Sequence, residues 1–253
     1  MASNNEIIAL KYIKNDNKIL LTINNNSSPL LNLWDLNNFE HIFNQEISIK
    51  ENYGRDFLYN NIFIEKIKND YFIILIPSKN CNDYILYKFY LLNGKYYLQQ
   101  FFSQINQINN PKNNKKIIID FKFFLNSKTG IIIYNTSIDF YEIDLDFDKN
   151  CVIKHNINYN FNILPNSISI SNEYNFLSFI TSKGNCLIYD INYINRETIK
   201  PYEQEDFIIS KLCKDSLFLG TNNGKIYVYQ LSDYKLKYYI NYNKLCLLKK
   251  NFK

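Results

Sequence analysis

The sequence predicts an all-β fold built from five copies of one four-stranded unit. Three observations predict it. A six-residue pattern (apolar, any, apolar, aromatic, polar, apolar) recurs five times, at residues 31–36, 84–89, 138–143, 186–191 and 226–231. Its fourth position is always Trp or Tyr (Trp34, Tyr87, Tyr141, Tyr189, Tyr229) and its fifth always polar (Asp35, Lys88, Glu142, Asp190, Gln230). Short runs of β-branched and aromatic residues flank every copy, too short for helices and rich in the side chains that suit a pleated surface. Of only six glycines, four (Gly94, Gly130, Gly184, Gly224) fall where hairpins are expected.

The motif itself reads as a strand. Positions one and three face one side and positions four and six the other, as the two-residue period of a strand requires. Both sides are apolar in most copies, so the strand is expected to lie between two layers. The polar fifth position then marks where one side reaches solvent or a local hydrogen-bond network.

The remaining strands follow in order. Repeat one is read as strands over 7–13, 19–23, 30–36 and 42–49. Repeat two is read over 62–67, 71–76, 84–90 and, after Asn93-Gly94, 96–102. Repeat three takes 117–125, a turn near Gly130, then 131–134, 138–143 and 151–157. In repeat four, Lys183-Gly184 turns 176–181 into 186–191. Repeat five takes 207–213, 216–220, 226–231 and 236–240, with Asn223-Gly224 expected as a type I′ hairpin because both residues tolerate positive φ. Motif starts lie 53, 54, 48 and 40 residues apart. A spacing of about 40–45 is usual for four-stranded propeller blades, and longer spacings mean longer loops.

Composition sets the bounds. At 253 residues, 46% hydrophobic and 17% aromatic, the chain is long enough for one large all-β domain with a real core. Asn, Lys, Ile, Tyr and Phe dominate, as A/T-rich codons favour; runs such as Asn24-Asn25-Asn26 therefore read as loop tips. Only Arg55 and Arg196 are arginines, and the net charge of +5 is mild. Lys112, Lys115 and Lys116 form one basic cluster beside Pro111, in a stretch read as a long loop. Five cysteines without a close pair point to reduced thiols and an intracellular chain, cytoplasmic or nuclear. No stretch approaches 18 uninterrupted apolar residues, so no membrane insertion is expected.

The organisation resembles WD40-repeat β-propellers. Trp34-Asp35 is the one literal Trp-Asp pair, and residues 221–231 (TNNGKIYVYQL) match that family's second strand, turn and third strand best, followed by 181–191. The resemblance implies a single propeller domain over 1–253, with blades at about 6–50, 56–103, 116–158, 166–203 and 206–242 and an extra strand at 244–250. The Gly-His dipeptide that opens many family repeats is absent, and His41 and His155 are the only histidines. The family's buried His–Ser/Thr–Asp–Trp network therefore cannot be complete. The ring is expected to close with five blades, to stay open with another polypeptide pairing to its edge, or to hold a sixth blade; an unpaired edge strand invites association.

Chemistry is scarce. No Gly-rich phosphate loop and no Cys/His spacing for zinc is present. Asp144, Asp146 and Asp148 begin like a calcium loop, but Lys149 and His155 stand where glycine and a bidentate glutamate are needed. His41 and His155 are expected as exposed residues of outer strands in different blades, not as catalytic bases. Glu203, Glu205 and Asp206 share one loop, read as solvated. The expectation is a non-enzyme without cofactor or metal, serving as a scaffold for one or more protein partners, with donation of a strand or blade by a partner as one form of that contact. The alternative is an RNA-associated propeller subunit that supports an RNA-modifying or RNA-processing enzyme, resting on the lysine cluster. The loops before each repeat's first strand (51–61, 104–115, 158–166 and 201–206) are expected on one face. Tyr53, Arg55, Lys112, Lys115, Lys116, Tyr159, Phe161 and Tyr202 are their candidate partner-binding residues, aromatic and basic groups being those that carry interface energy. Packing of the aromatics under their own loops is the competing placement.

Overall fold

The computed structural model describes residues 7–13, 19–24, 30–47, 62–68, 71–77, 84–104, 117–124, 128–143, 151–192, 195–202 and 205–241. Tyr53, Arg55, Lys112, Lys115, Lys116, Asp144, Asp146, Asp148, Glu203 and the expected strand at 244–250 lie outside them.

The described residues form five four-stranded sheets, each wound in sequence order. The first holds β1 (Ile7–Ile13), β2 (Ile19–Asn24), β3 (Leu30–Asp35) and β4 (Glu40–Glu46). The second holds β5 (Phe63–Lys68), β6 (Tyr71–Pro77), β7 (Tyr84–Leu92) and β8 (Lys95–Gln104). The third holds β9 (Ile118–Phe124), β10 (Thr129–Tyr134), β11 (Ser137–Ile143) and β12 (Cys151–Asn158). The fourth holds β13 (Ser169–Ser171), β14 (Phe176–Ile180), β15 (Cys186–Asp190) and β16 (Asn195–Ile199). The fifth holds β17 (Phe207–Cys213), β18 (Ser216–Thr221), β19 (Lys225–Gln230) and β20 (Leu236–Asn241). In each sheet the six-residue motif supplies the third strand. This is the expected architecture, an all-β propeller fold of five four-stranded blades.

The chain divides into two compact units. One comprises Met1–Phe121 with Asp144–Cys151, the other Lys122–Ile143 with Val152–Lys253. In the first unit, one apolar core joins Ile23, Leu31 and Leu33 of sheet one to Ile64, Phe72, Ile74, Ile85, Tyr87 and Phe89 of sheet two. Phe43 meets both Phe89 (ring centroids 5.4 Å apart) and Tyr96 (5.8 Å), which stack on each other at 5.4 Å. In the second unit, Ile180, Cys186 and Ile188 of sheet four pack on Leu212, Leu217, Leu219, Tyr227 and Tyr229 of sheet five. Each aliphatic side chain removed from water in this way contributes about 1.5–3 kcal/mol. Adjacent repeats thus hold each other, because no single sheet buries both of its apolar faces alone.

The motif aromatics leave a mark on pairing. Between motif positions three and four, the outer strand carries one extra residue in sheets one, two and five. Leu33 pairs with Phe43 but Trp34 with His41; Leu86 pairs with Phe102 but Tyr87 with Gln100; Val228 pairs with Tyr238 but Tyr229 with Leu236. Such a bulge bends and twists the outer strand where the large ring sits. The polar fifth position has a local role too. Asp35 and Asp190 accept the backbone N–H groups of Asn37 (2.7 Å) and Asn192 (2.9 Å), opening the turn to the outer strand. Lys88 departs from this. It is buried, with its Nζ 5.4 Å from the centre of the Phe101 ring.

Two turn expectations are corrected. Gly130 lies inside β10, and the positive φ at that turn belongs to Lys128 (49°). At Asn223-Gly224 only Gly224 has positive φ (74°), and its N–H bonds to the Thr221 carbonyl (3.2 Å). The loop is therefore a tight turn ending in a left-handed glycine, not the two-residue type I′ form. Asn93-Gly94 does have positive φ at both residues (50° and 74°).

Buried hydroxyl groups carry several of the hydrogen bonds between strands. Trp34 donates Nε1–H to Thr22 Oγ1 (3.2 Å) in sheet one. In the second unit, Ser167 Oγ donates to the Leu164 carbonyl (2.7 Å) and accepts the Ile180 N–H (2.7 Å), while the Ser210 hydroxyl donates to the Ser167 carbonyl. Leu212 N–H donates to Ser169 Oγ (2.9 Å). Ser167→Ala strands the buried Ile180 N–H and is expected to cost about 1–3 kcal/mol in a denaturant titration.

Candidate interaction face

The second unit builds a continuous face from loops and turns. Its members are the 135–136 turn, the 159–164 loop, the 181–184 turn, the loop segment before β17 and the 222–224 turn. Main-chain bonds join them in series. Tyr159 N–H donates to the Thr136 carbonyl (2.9 Å) and Ile163 N–H to the Asn135 carbonyl (2.8 Å). Ser182 N–H donates to the Asn162 carbonyl (2.7 Å), Phe207 N–H to the Gly184 carbonyl (3.0 Å) and Asn222 N–H to the Asp206 carbonyl (3.1 Å). Loop follows turn along this series because short hairpins place each turn beside the next connection. The result is a frame tied from loop to turn by main-chain bonds, which restrict the positions the loops can take.

Three of the expected candidates lie on this frame. Tyr159 packs beneath its own loop. Its hydroxyl hydrogen-bonds the Tyr189 hydroxyl, and burial, reinforced by Tyr189, raises its pKa well above the ordinary tyrosine value. The Phe161 ring stacks on it with centroids 4.9 Å apart and stays half-exposed. Lys183 stands over that ring, its Nζ 5.8 Å from the centroid. Tyr202 is 53% exposed and stacks on Tyr227 at 5.3 Å. Tyr227 in turn meets Tyr239 of β20 at 5.7 Å, and Tyr239 is 58% exposed. Phe161 and Tyr202 thus offer ring surface to a partner, while Tyr159 is a pillar beneath.

One expectation about charge changes here. Glu205 is not a solvated loop carboxylate; it is 8% exposed and bonded by Lys225 Nζ and by the Tyr227 hydroxyl (2.8 Å). The Lys225 bond, with help from Tyr227, holds its pKa below the ordinary glutamate value. Sequence reasoning missed this pairing because Lys225 follows a hairpin glycine, where a lysine reads as solvent-facing. A lowered carboxyl pKa contributes stability above the unfolded value of about 4.3, and that contribution is lost as pH falls through the folded value. The melting-temperature advantage of the wild type over Glu205→Gln is therefore expected to be full at neutral pH and to shrink below about pH 4.

His41 and His155 lie on outer strands and are exposed, against Trp34 (4.7 Å) and Phe140 (6.2 Å) respectively. Among the described residues, no three His, Cys, Asp or Glu side chains group closely enough to hold a metal ion. No helix among them is long and apolar enough to cross a membrane.

These features define a β-propeller whose loop face is rigid and aromatic. No protein-family model matches the chain, and no curated protein matches it in sequence. Solved structures do. The computationally designed Ika8 protein is similar at TM-score 0.59 and 12% identity, over 93% of this chain and 61% of that one. Sqt1 of Saccharomyces cerevisiae is similar at 0.58 and 16% identity, over 94% and 62%. Apo AztD from Citrobacter koseri is similar at 0.57 and 11% identity, over 92% and 59%. The chain spans about three-fifths of the length of each of these structures. At such identities the likeness establishes the fold alone.

Proposed function

We propose that this chain is a divergent WD40-like propeller that acts as a non-catalytic scaffold subunit of an intracellular multiprotein complex. The observation that carries the reading is the pairing of a loop frame fixed by main-chain bonds with exposed rings at Phe161 and Tyr202. Rigid aromatic groups lose little conformational entropy on binding and bury much surface, which suits them to anchor a protein partner. Catalysis by contrast needs a base beside a nucleophile or paired carboxylates, and Glu205 is already committed to Lys225 and Tyr227.

The test is purification of the tagged full chain from its native cell, beside a Phe161→Ser/Tyr202→Ser double variant. A stoichiometric protein partner is expected with the wild type and at least ten-fold less of it with the variant, at similar melting temperatures. A partner retained equally by both overturns the reading of this face. Association that nuclease abolishes, and that weakens steeply with salt, favours the RNA-associated alternative instead.

A further inference from the structure

The sequence contains two Asn-Gly pairs, Asn93-Gly94 between β7 and β8 and Asn223-Gly224 between β18 and β19. An asparagine followed by glycine can modify itself. The main-chain nitrogen of the glycine attacks the asparagine side-chain carbon Cγ and closes a five-membered ring. Glycine permits that approach because it has no Cβ beside the attacking nitrogen. The nitrogen must also be free to lose its proton, so an N–H held in a hydrogen bond is a poor nucleophile.

The two pairs share a sequence and differ in this respect. Leu92 pairs directly with Lys95, so Asn93 and Gly94 alone make the turn, both at positive φ (50° and 74°). The pairing across such a turn runs between Leu92 and Lys95, and the Gly94 N–H has no acceptor among the described residues. Gly224 N–H instead donates to the Thr221 carbonyl (3.2 Å), and the next N–H, of Lys225, is held by Thr221 Oγ1 (3.1 Å). Local pairing differs as well. Past Tyr90, β7 is paired with β8 alone, through Leu91 with Tyr96 and Leu92 with Lys95. A hairpin end held by so few pairs opens at small cost, which lets Asn93 rotate into line with the Gly94 nitrogen. The Asn223 turn is tied down beside its asparagine, by the bond from Asn222 N–H to the Asp206 carbonyl (3.1 Å). Asn93 and Gly94 are both exposed, so water reaches the site.

We infer that Asn93 is a site of spontaneous modification in the folded protein and that Asn223 is not. The step needs no co-reactant but water. The Gly94 nitrogen gives its proton to solvent and bonds to Asn93 Cγ; the bond from Cγ to the side-chain nitrogen breaks, and ammonia leaves a succinimide. Water then opens the ring. Attack at Cγ yields aspartate on an unchanged main chain. Attack at the Asn93 main-chain carbonyl yields isoaspartate, with the chain rerouted through Cγ and one methylene longer. Aspartate suits the type I′ turn as asparagine does. Isoaspartate does not fit a two-residue turn, and it disturbs the register that stacks Tyr96 on Phe89 (5.4 Å) and Tyr97 on Tyr90 (5.6 Å).

Peptide mapping of the full chain by mass spectrometry tests it. Folded and urea-unfolded samples are held side by side at mildly alkaline pH in water enriched in heavy oxygen, which labels each ring opening. In the folded protein, conversion at Asn93 is expected to exceed that at Asn223 at least ten-fold. In urea the two are expected to convert at similar rates, because the fold alone distinguishes them. Gly94→Ala is expected to slow conversion at Asn93 at least ten-fold. Equal conversion at both sites of the folded chain overturns the proposal, as does no label at Asn93 over a period that converts both sites in urea. An excess at Asn93 that persists in urea assigns the difference to local sequence and overturns it too. The isoaspartyl form is expected to melt at a lower temperature than Asn93→Asp, which carries the same charge on an unaltered main chain. Equal melting overturns the stated effect on the hairpin.

Discussion

Replacing Phe207 by alanine is expected to destabilise the second unit by about 3–5 kcal/mol, the range for removing a fully buried aromatic ring. Phe207 is 0% exposed and opens β17 at the junction of sheets four and five. Its ring meets Tyr227 at 6.0 Å in an edge-on arrangement, and its N–H is spent on the Gly184 carbonyl. The cavity left by alanine cannot collapse cheaply, because strands fixed by cross-strand pairing line it. The loss compares with a total stability of about 5–15 kcal/mol for a typical domain. Circular dichroism melts and urea titrations of wild type and variant measure it. A loss under about 1 kcal/mol means the two sheets do not depend on this contact. Phe207→Leu, which restores most of the volume, is expected to recover more than half of the loss.

Gly184→Ala is the second large effect, and its cause is backbone geometry. Gly184 has φ of +72°, which a residue with a side chain adopts only at a cost of about 1–3 kcal/mol. A Cβ here would also stand 2.3 Å from Asp206 Oδ1 and 2.9 Å from Asp206 Cβ and Cγ. The carboxylate end can swing aside, but Cβ moves only with the backbone. That backbone is held by the bond from Asn222 N–H to the Asp206 carbonyl and by the bond from Asp206 N–H to Asn222 Oδ1 (3.3 Å). Strain and overpacking together are expected to cost about 2–5 kcal/mol. The variant also separates frame from rings, since the 181–184 turn joins the Phe161 loop to the loop before β17. Partner binding at Phe161 and Tyr202 is expected to weaken even at temperatures where the variant stays folded. Gly94→Ala supplies the control. Its φ is likewise positive (74°), but nothing lies within 4 Å of an added Cβ, so it suffers the strain alone.

Much of this fold is legible from one sequence. The two-residue alternation of each motif fixed which residues line the two sides of the third strand. β17 runs over Phe207–Cys213, the range that its apolar run sets, and β14, β15 and β20 end within a residue of expectation. Turns were less legible. Whether a glycine ends a hairpin, as Gly184 does, or lies inside a strand, as Gly130 does, depends on pairing register. Composition is silent on that.

The interaction face divides along the same line. Residue type alone singled out Tyr159, Phe161 and Tyr202, because a large ring in a polar loop must either pack or bind. Which of the two each does is a matter of neighbours distant in sequence: Tyr189 captures Tyr159, and Tyr227 supports Tyr202 but leaves it exposed. Glu205 shows the limit most clearly. Its loop reads as solvated, yet a hairpin 20 residues on delivers Lys225 to its carboxylate.

By itself, then, the sequence determined the repeating unit and its strand order, because those depend on local periodicity and side-chain size. Only the tertiary structure decided which loop aromatics face solvent and that Glu205 is paired. Those outcomes depend on which surfaces meet across sheets, and no local pattern encodes a contact between residues tens of positions apart.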